Sequence, residues 1–263
     1  MLDLTEKVII VTGGSKGMGR VFVDALVARG ARVACLARPS ERLTAVGEDH
    51  RDKVAAIECD VSDSAQVDGA IATAVQRFDR IDALVNNAAI FHPFAIESGT
   101  DELINSHIDI NLRGVIWLVR AAVPHLRETK GQIVSISSES VNMPFPMLSL
   151  YAATKAAVET FSNGLRDELR KDSIRVSILR SGSVAGGSGS ENWDPVATQQ
   201  FYETIMRTGH AAMSGASASP QSMAEALIAL LSMPEDVSVD LIEVRASQEG
   251  VPPSVKAALS END

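Results

Sequence analysis

The chain has 263 residues, 45% of them hydrophobic, which suits one α/β domain with a substantial core. Its formal net charge is −10 and it carries no basic run, which argues against nucleic acid or an anionic membrane surface as a partner. Met1-Leu2-Asp3-Leu4 lacks the charged-then-apolar pattern of a secretory leader, and no apolar run reaches membrane-spanning length, so a soluble cytoplasmic protein is expected.

Residues 7–12, KVIIVT, read as a buried strand. Gly13-Gly14-Ser15-Lys16-Gly17-Met18-Gly19 follows, then an amphipathic helical run that Gly30 closes as a C-terminal cap. A strand, a glycine turn and a helix in that order suit a dinucleotide. Gly13, Gly17 and Gly19 let the backbone come close to a phosphate, and the helix N-terminus offers free N–H groups. Residues 32–37 form the next strand, at whose end the adenosine ribose of such a cofactor would lie. An acidic residue there would favour NAD(H), but here Ala37 is followed by Arg38. The planar guanidinium of Arg38 suits a 2′-phosphate, and Lys16 adds a second charge from the turn. NADP(H) is therefore expected over NAD(H). Cys35 and Cys59 fall in apolar strand-like runs and are expected as buried reduced thiols.

Residues 54–58 read as a third strand. Asp60, with Val61 beside it, is placed either to meet an adenine edge or to cap the helix expected over residues 64–78. Residues 81–86 form the fourth strand. Asn87 and Ala88 leave its carboxyl end, where open α/β sheets hold their ligands. One helical stretch is expected over residues 101–129, with Asn111 among apolar neighbours. A buried asparagine needs partners for its amide, and this one either holds a water or disturbs the helix.

Residues 131–138 form the fifth strand and deliver Ser138 to the same edge. In the helix expected over residues 149–171, Tyr151 and Lys155 stand four apart and share one face. A phenol ordinarily ionises near pH ~10, and an ammonium beside it favours the phenolate. Such a tyrosine exchanges a proton with a ketone or alcohol oxygen that the Ser138 hydroxyl holds. Residues 174–179 are the sixth strand, a helix is expected from Pro220 to Met233, and residues 239–245 are the last strand.

Thr12-Gly13-x-x-x-Gly17-x-Gly19, Asp60, Asn86-Asn87-Ala88, Asn111, Ser138 and Tyr151-x-x-x-Lys155 occur in one order and spacing. Together they resemble the short-chain dehydrogenase/reductase family in its single-domain type, from residue 7 to about residue 184. The resemblance implies one α/β domain over residues 1–263, a three-layer, Rossmann-type, doubly wound parallel sheet of about seven strands. It implies a catalytic tetrad of Asn111, Ser138, Tyr151 and Lys155. Tyr151 would be the general acid and base, and Lys155 would lower its pKa and bond the nicotinamide ribose. Ser138 would polarise the substrate oxygen, and Asn111 would hold a proton-relaying water. The cofactor would lie against Gly13, Ser15, Lys16, Gly17, Met18, Gly19, Arg38, Asp60, Val61, Asn87, Ala88, Tyr151, Lys155, Gly182 and Val184. The substrate would be a carbonyl compound or its secondary alcohol. A homodimer or homotetramer is expected through the helices around residues 101–129 and 149–171, whose apolar faces look too broad for one sheet; the alternative is that the sheet covers both faces.

The chain departs from the family pattern after the sixth strand. Ser181 stands for the usual proline and Gly186 for the usual threonine, so the loop loses stiffness and a hydroxyl, while Val184 keeps its backbone to offer. Val141 replaces a glycine, and the last strand lacks the Gly-Gly ending of tetrameric members. Residues 183–219 open on glycine and serine and continue as a helix-like stretch with Trp193, Phe201, Tyr202 and Met206. They read either as a lid over the substrate or as an ordinary surface helix. Phe91, His92, Phe94, Met143, Phe145 and Met147 fall near strand ends and suggest a mainly apolar pocket. No metal is expected, for want of a clustered ligand set, and residues 246–263 read as a loosely held tail. An NADP(H)-dependent oxidoreductase is the leading reading. A cofactor-bound sensor without turnover, or an isomerase or dehydratase on the same fold, are the alternatives.

Overall fold

The computed structural model describes residues 2–186 and 188–252. The expected tail therefore lies outside the described residues from 253 onward. The strands are β1 (Val8–Thr12), β2 (Arg32–Ala37), β3 (Val54–Glu58), β4 (Ala83–Asn86), β5 (Gln132–Ser138), β6 (Arg175–Ser181) and β7 (Leu241–Val244). They form one seven-stranded sheet in the order β3-β2-β1-β4-β5-β6-β7, every neighbouring pair parallel. Buried on both faces, the central strands read as nearly unbroken apolar runs, as parallel sheets require.

Side chains alternate between two cores. Ile9, Val11, Val33, Cys35, Val85 and Val134 face one way, against α1 (Gly17–Ala28) and α9 (Pro220–Leu231). Val8, Ile10, Ala34, Leu36, Leu84 and Ile133 face the other way, against α3 (Ser64–Phe78), α5 (Gly114–Thr129) and α6 (Ser149–Leu169). Cys35 and Cys59 are buried and free. Burial pushes their thiols up to about 12 and about 11, which makes them poor nucleophiles. Among the described residues, no helix is long and apolar enough to cross a membrane.

The single helix expected over residues 101–129 is broken. α4 (Asp101–Ile108) passes through a π turn at Asp109–Arg113 before α5 begins. The reason lies outside the helix. Asn111 Oδ1 accepts from the Ile90 N–H at 2.8 Å, and Asn111 Nδ2 donates to the Ile90 carbonyl at 2.8 Å. Closing both bonds draws Asn111 toward the β4 exit, and the backbone takes up an extra residue to allow it. Close packing follows: a Cβ on Gly114 would meet the Val61 carbonyl oxygen at 2.8 Å. β6 is longer than expected and carries Ser181 into register with Ser138 of β5. The remaining helices are α2 (Glu41–Asp49), α7 (Pro195–Arg207) and α8 (His210–Ser214).

Candidate active site

β1 and β4 are adjacent although two strands separate them in the chain. Their carboxyl ends open a crevice where the connections turn to opposite sides. Thr12 braces it. Its Oγ1 accepts from the N–H groups of Asn87 and Ala88, both at 3.0 Å, and Asn87 Nδ2 donates to the Thr12 carbonyl at 2.8 Å. Gly13 and Gly17 take φ values of +65° and +54°, a region side chains avoid. A Cβ on Gly19 would collide with the Gly13 carbonyl oxygen. Lys16 precedes α1 without a side-chain cap, and the first turn holds no acidic residue. The helix thus begins with uncompensated N–H donors and a positive dipole end.

A cavity of about 1020 Å3 runs from this turn to the start of α6. Gly13, Ser15, Lys16, Gly17, Met18, Gly19, Arg38, Asp60, Val61, Asn87 and Ala88 line one end, and Ser138, Tyr151, Lys155, Gly182 and Val184 the other. Asn87 lines the wall, yet its amide is spent on the glycine turn. Asp60 does not cap α3: Asp63 does, accepting from the N–H groups of Ala65 and Gln66. Asp60 instead takes the Ser62 N–H at 2.9 Å and hydroxyl at 2.6 Å. Arg38 is exposed at the mouth. Two neighbours there went unseen in the sequence. Glu191 lies 2.8 Å from Arg42 and 3.1 Å from Lys16, a contact between distant segments that no local pattern announces.

At the inner end, Ser138 Oγ accepts from the Ser140 N–H at 3.2 Å, and the Ser138 hydroxyl favours ionisation of the nearby Tyr151 phenol. Lys155 is buried, and its Nζ donates to the Ile136 carbonyl at 2.7 Å. It sits 5.8 Å from the Tyr151 ring centroid. Burial, opposed by the Ser138 hydroxyl and aided by the nearby charge of Glu139, pushes the phenol up to about 12. Burial also brings the Lys155 ammonium down to about 8, against the pull of Glu159. The expected lowering of the Tyr151 pKa by Lys155 is therefore not the balance found here. The ammonium spends its short bond on a carbonyl, and desolvation of the phenolate wins.

Asn111 does not line the cavity. Its amide is taken up by Ile90 and by Thr154 Oγ1 at 3.2 Å, so it ties the β4 exit to α6. The Ser183 carbonyl and the Ala185 N–H pair with Ala218, which leaves the backbone of Val184 outside that pairing. Ser181 Oγ donates to the Gly182 carbonyl at 2.9 Å. Val141 is not part of the wall.

Beyond Tyr151 the cavity wall is aromatic. Phe91 lies 5.6 Å from Tyr151 and 5.2 Å from Trp193, ring to ring. Trp193 meets Phe201 edge-on at 5.6 Å. Gly189 passes so close to the Phe91 ring that a side chain there would collide with it. Phe145 also lines the cavity, but His92, Phe94, Met143 and Met147 do not. Phe94 packs on the His107 ring, His92 donates its N–H to His107 Nε2 at 3.2 Å, and Met147 turns its carbonyl to the Phe94 N–H. A buried carboxylate missed in the sequence, Glu139, follows Ser138. It accepts from Ser214 Oγ at 2.5 Å and stands 3.1 Å from Arg245 Nε. Burial pushes its carboxyl up. One turn below Lys155, Glu159 pairs with Arg180 at 2.6 Å and accepts from Ser137 Oγ at 2.6 Å.

A family model described as short chain dehydrogenase matches residues 7–195. An uncharacterized oxidoreductase of Staphylococcus saprophyticus is 30% identical over 255 residues, covering 95% of this chain and 100% of that one. A solved 3-ketoacyl-(acyl-carrier-protein) reductase of Brucella melitensis, complexed with NADH, is 27% identical with a TM-score of 0.79, covering 92% of this chain and 97% of that one. The closed form of a serine dehydrogenase complexed with NADP+ is 25% identical with a TM-score of 0.80, covering 91% of this chain and 94% of that one.

Proposed function

Since the chain belongs to the short-chain dehydrogenase family, and so is an oxidoreductase by kinship, we propose that it interconverts a carbonyl compound and a secondary alcohol with NADP(H). The observation that carries the reading is one cavity with two chemically distinct ends. At one end an uncapped helix N-terminus meets the cations Lys16, Arg38 and Arg42; at the other, Ser138, Tyr151 and Lys155 converge. The donor set fits a phosphorylated dinucleotide: backbone N–H groups for a pyrophosphate, guanidinium and ammonium groups for a further phosphate, and Arg38 rather than a carboxylate directly after Ala37. Solved relatives hold NADP+ in one case and NADH in another, so the preference for NADP(H) rests on these cations.

Bound there, the nicotinamide would supply or accept the hydride. The chain's own residues do the rest. Ser138 orients the substrate oxygen beside the Tyr151 hydroxyl, which gives its proton in reduction and takes one in oxidation. Lys155, in reach of the inner wall, is assigned to the ribose of the cofactor and to the electrostatics of the phenol. Asn111 acts through position, holding the β4 exit against α6. Phe91, Trp193 and Phe201 exclude water and favour a bulky apolar substrate. The segment 183–219, whose described helices α7 and α8 cover this end, acts as the lid. The outer face of α6, a shallow groove of Ala157, Thr160, Phe161, Gly164, Leu165 and Glu168, serves self-association. The buried free thiols suit a reducing compartment, and the cytoplasm is proposed accordingly.

The test is a panel of ketones and secondary alcohols with NADPH and NADP+, read by cofactor absorbance. Stoichiometric cofactor consumption supports the reading. Product without net cofactor change would indicate an isomerase or dehydratase, and binding without turnover a sensor.

A further inference from the structure

The segment after β6 sends one carboxylate back across the cavity mouth. Glu191 Oε2 reaches both Arg42 Nη1, at 2.8 Å, and Lys16 Nζ, at 3.1 Å. It thereby joins the first turn of α2 to the start of α1. Arg42 first, then Lys16, hold its carboxyl below the usual range, which favours its charged form. Glu191, Lys16, Arg42 and Arg38 all line the same mouth. Two cations closed around one carboxylate form a ready site for a more highly charged anion.

We propose that Glu191 is an internal competitor for the adenosine 2′-phosphate: it occupies Lys16 and Arg42, and a 2′-phosphorylated nucleotide displaces it. The inference rests on the reading of this cavity as an NADP(H) site. All three side chains are partly exposed, so the carboxylate's pairs are weak and screened by salt. A phosphate dianion makes stronger charge-assisted bonds to the same donors, and the exchange runs its way. Glu191 therefore lowers the affinity for 2′-phosphorylated nucleotides without touching that for nucleotides that lack the 2′-phosphate. It also links occupancy of the adenosine end to the chain leading into α7, which covers the substrate end.

The experiment is titration calorimetry with adenosine 2′,5′-bisphosphate and adenosine 5′-monophosphate, fragments that carry no nicotinamide. Glu191→Gln is expected to bind the bisphosphate roughly threefold to tenfold more tightly than the unaltered chain, with the monophosphate unchanged and the gain shrinking at high salt. Unchanged or weaker binding of the bisphosphate, or an equal gain for both fragments, overturns the proposal. The NADP(H) reading fails separately if the unaltered chain does not prefer the bisphosphate and Arg38→Ala does not alter its binding.

Discussion

Tyr151 reaches the cavity from the first turn of α6, near the Ser138 hydroxyl. Tyr151→Phe removes the phenol oxygen and leaves the ring against Phe91. It should keep the fold and nucleotide binding while turnover falls by about a thousandfold, within the range that general acid–base groups contribute. Steady-state kinetics beside a binding titration check this; turnover within tenfold of the original would point to another proton donor. Lys155 gives a pH signature of its own. Burial brings its pKa from 10.5 to about 8, so between those values the unfolded chain binds more protons at this group than the folded one. The cost of burying the ammonium is full below about pH 8 and is relieved as pH rises toward 10.5. Tyr151 acts in the other direction only above its ordinary value of 10.0, because its folded pKa is raised to about 12. Urea melts of Lys155→Met against the original chain should therefore show the variant's relative stability greatest below pH 8 and declining between pH 8 and 10. A flat difference would mean that the lysine is not charge-strained. The positions of Ser138, Tyr151, Lys155 and the glycine turn were legible because each is tied to a strand end or a helix start by local spacing. Glu139, Arg42 and Glu191 were not, since their partners are distant in the chain and ordinary surface charges look the same.

At the scale of elements, the bounds of β2, β3 and α3 could be read from apolar periodicity and from turn residues alone. The break at Asp109–Arg113 could not, because a buried amide reaching Ile90 overrides the local preference for a continuous helix. The same kind of long-range bond holds β1 to β4. Thr12 Oγ1 receives two backbone N–H groups that would otherwise be left without a partner. Thr12→Val keeps the shape and removes the acceptor. Each stranded donor costs about 1–3 kcal/mol, so a loss of about 2–6 kcal/mol is expected in chemical denaturation, with Thr12→Ser nearly neutral. A loss below about 1 kcal/mol would show that the two strand ends do not depend on this hydroxyl.

At the scale of the whole molecule, the sheet covers the inner sides of α5 and α6 and, among the described residues, leaves the outer groove of α6 uncovered. Gly164 faces outward there, and a Cβ on it would meet nothing within 4 Å. Gly164→Glu leaves the monomer's interior alone and places a charge on the proposed self-association face. Light scattering should then report a lower mass than for the original chain; an unchanged mass would move the interface elsewhere. The apolar breadth of these helices was legible in the sequence as either a dimer face or a face the sheet covers, while the small-residue groove needed three dimensions to appear.

The sheet order has a consequence for the chain as it is made. β4 follows its partner β1 in the chain, but β5, the partner of its other edge, comes only after the whole stretch from Asn87 to Gly131. During that interval a nascent chain on the ribosome carries a glycine turn with half its walls and an open β-edge that invites pairing with another copy. Truncation between α4 and β5 should thus yield insoluble fragments rather than a small nucleotide-binding unit, and ligand rescue should act only after the final helices have docked.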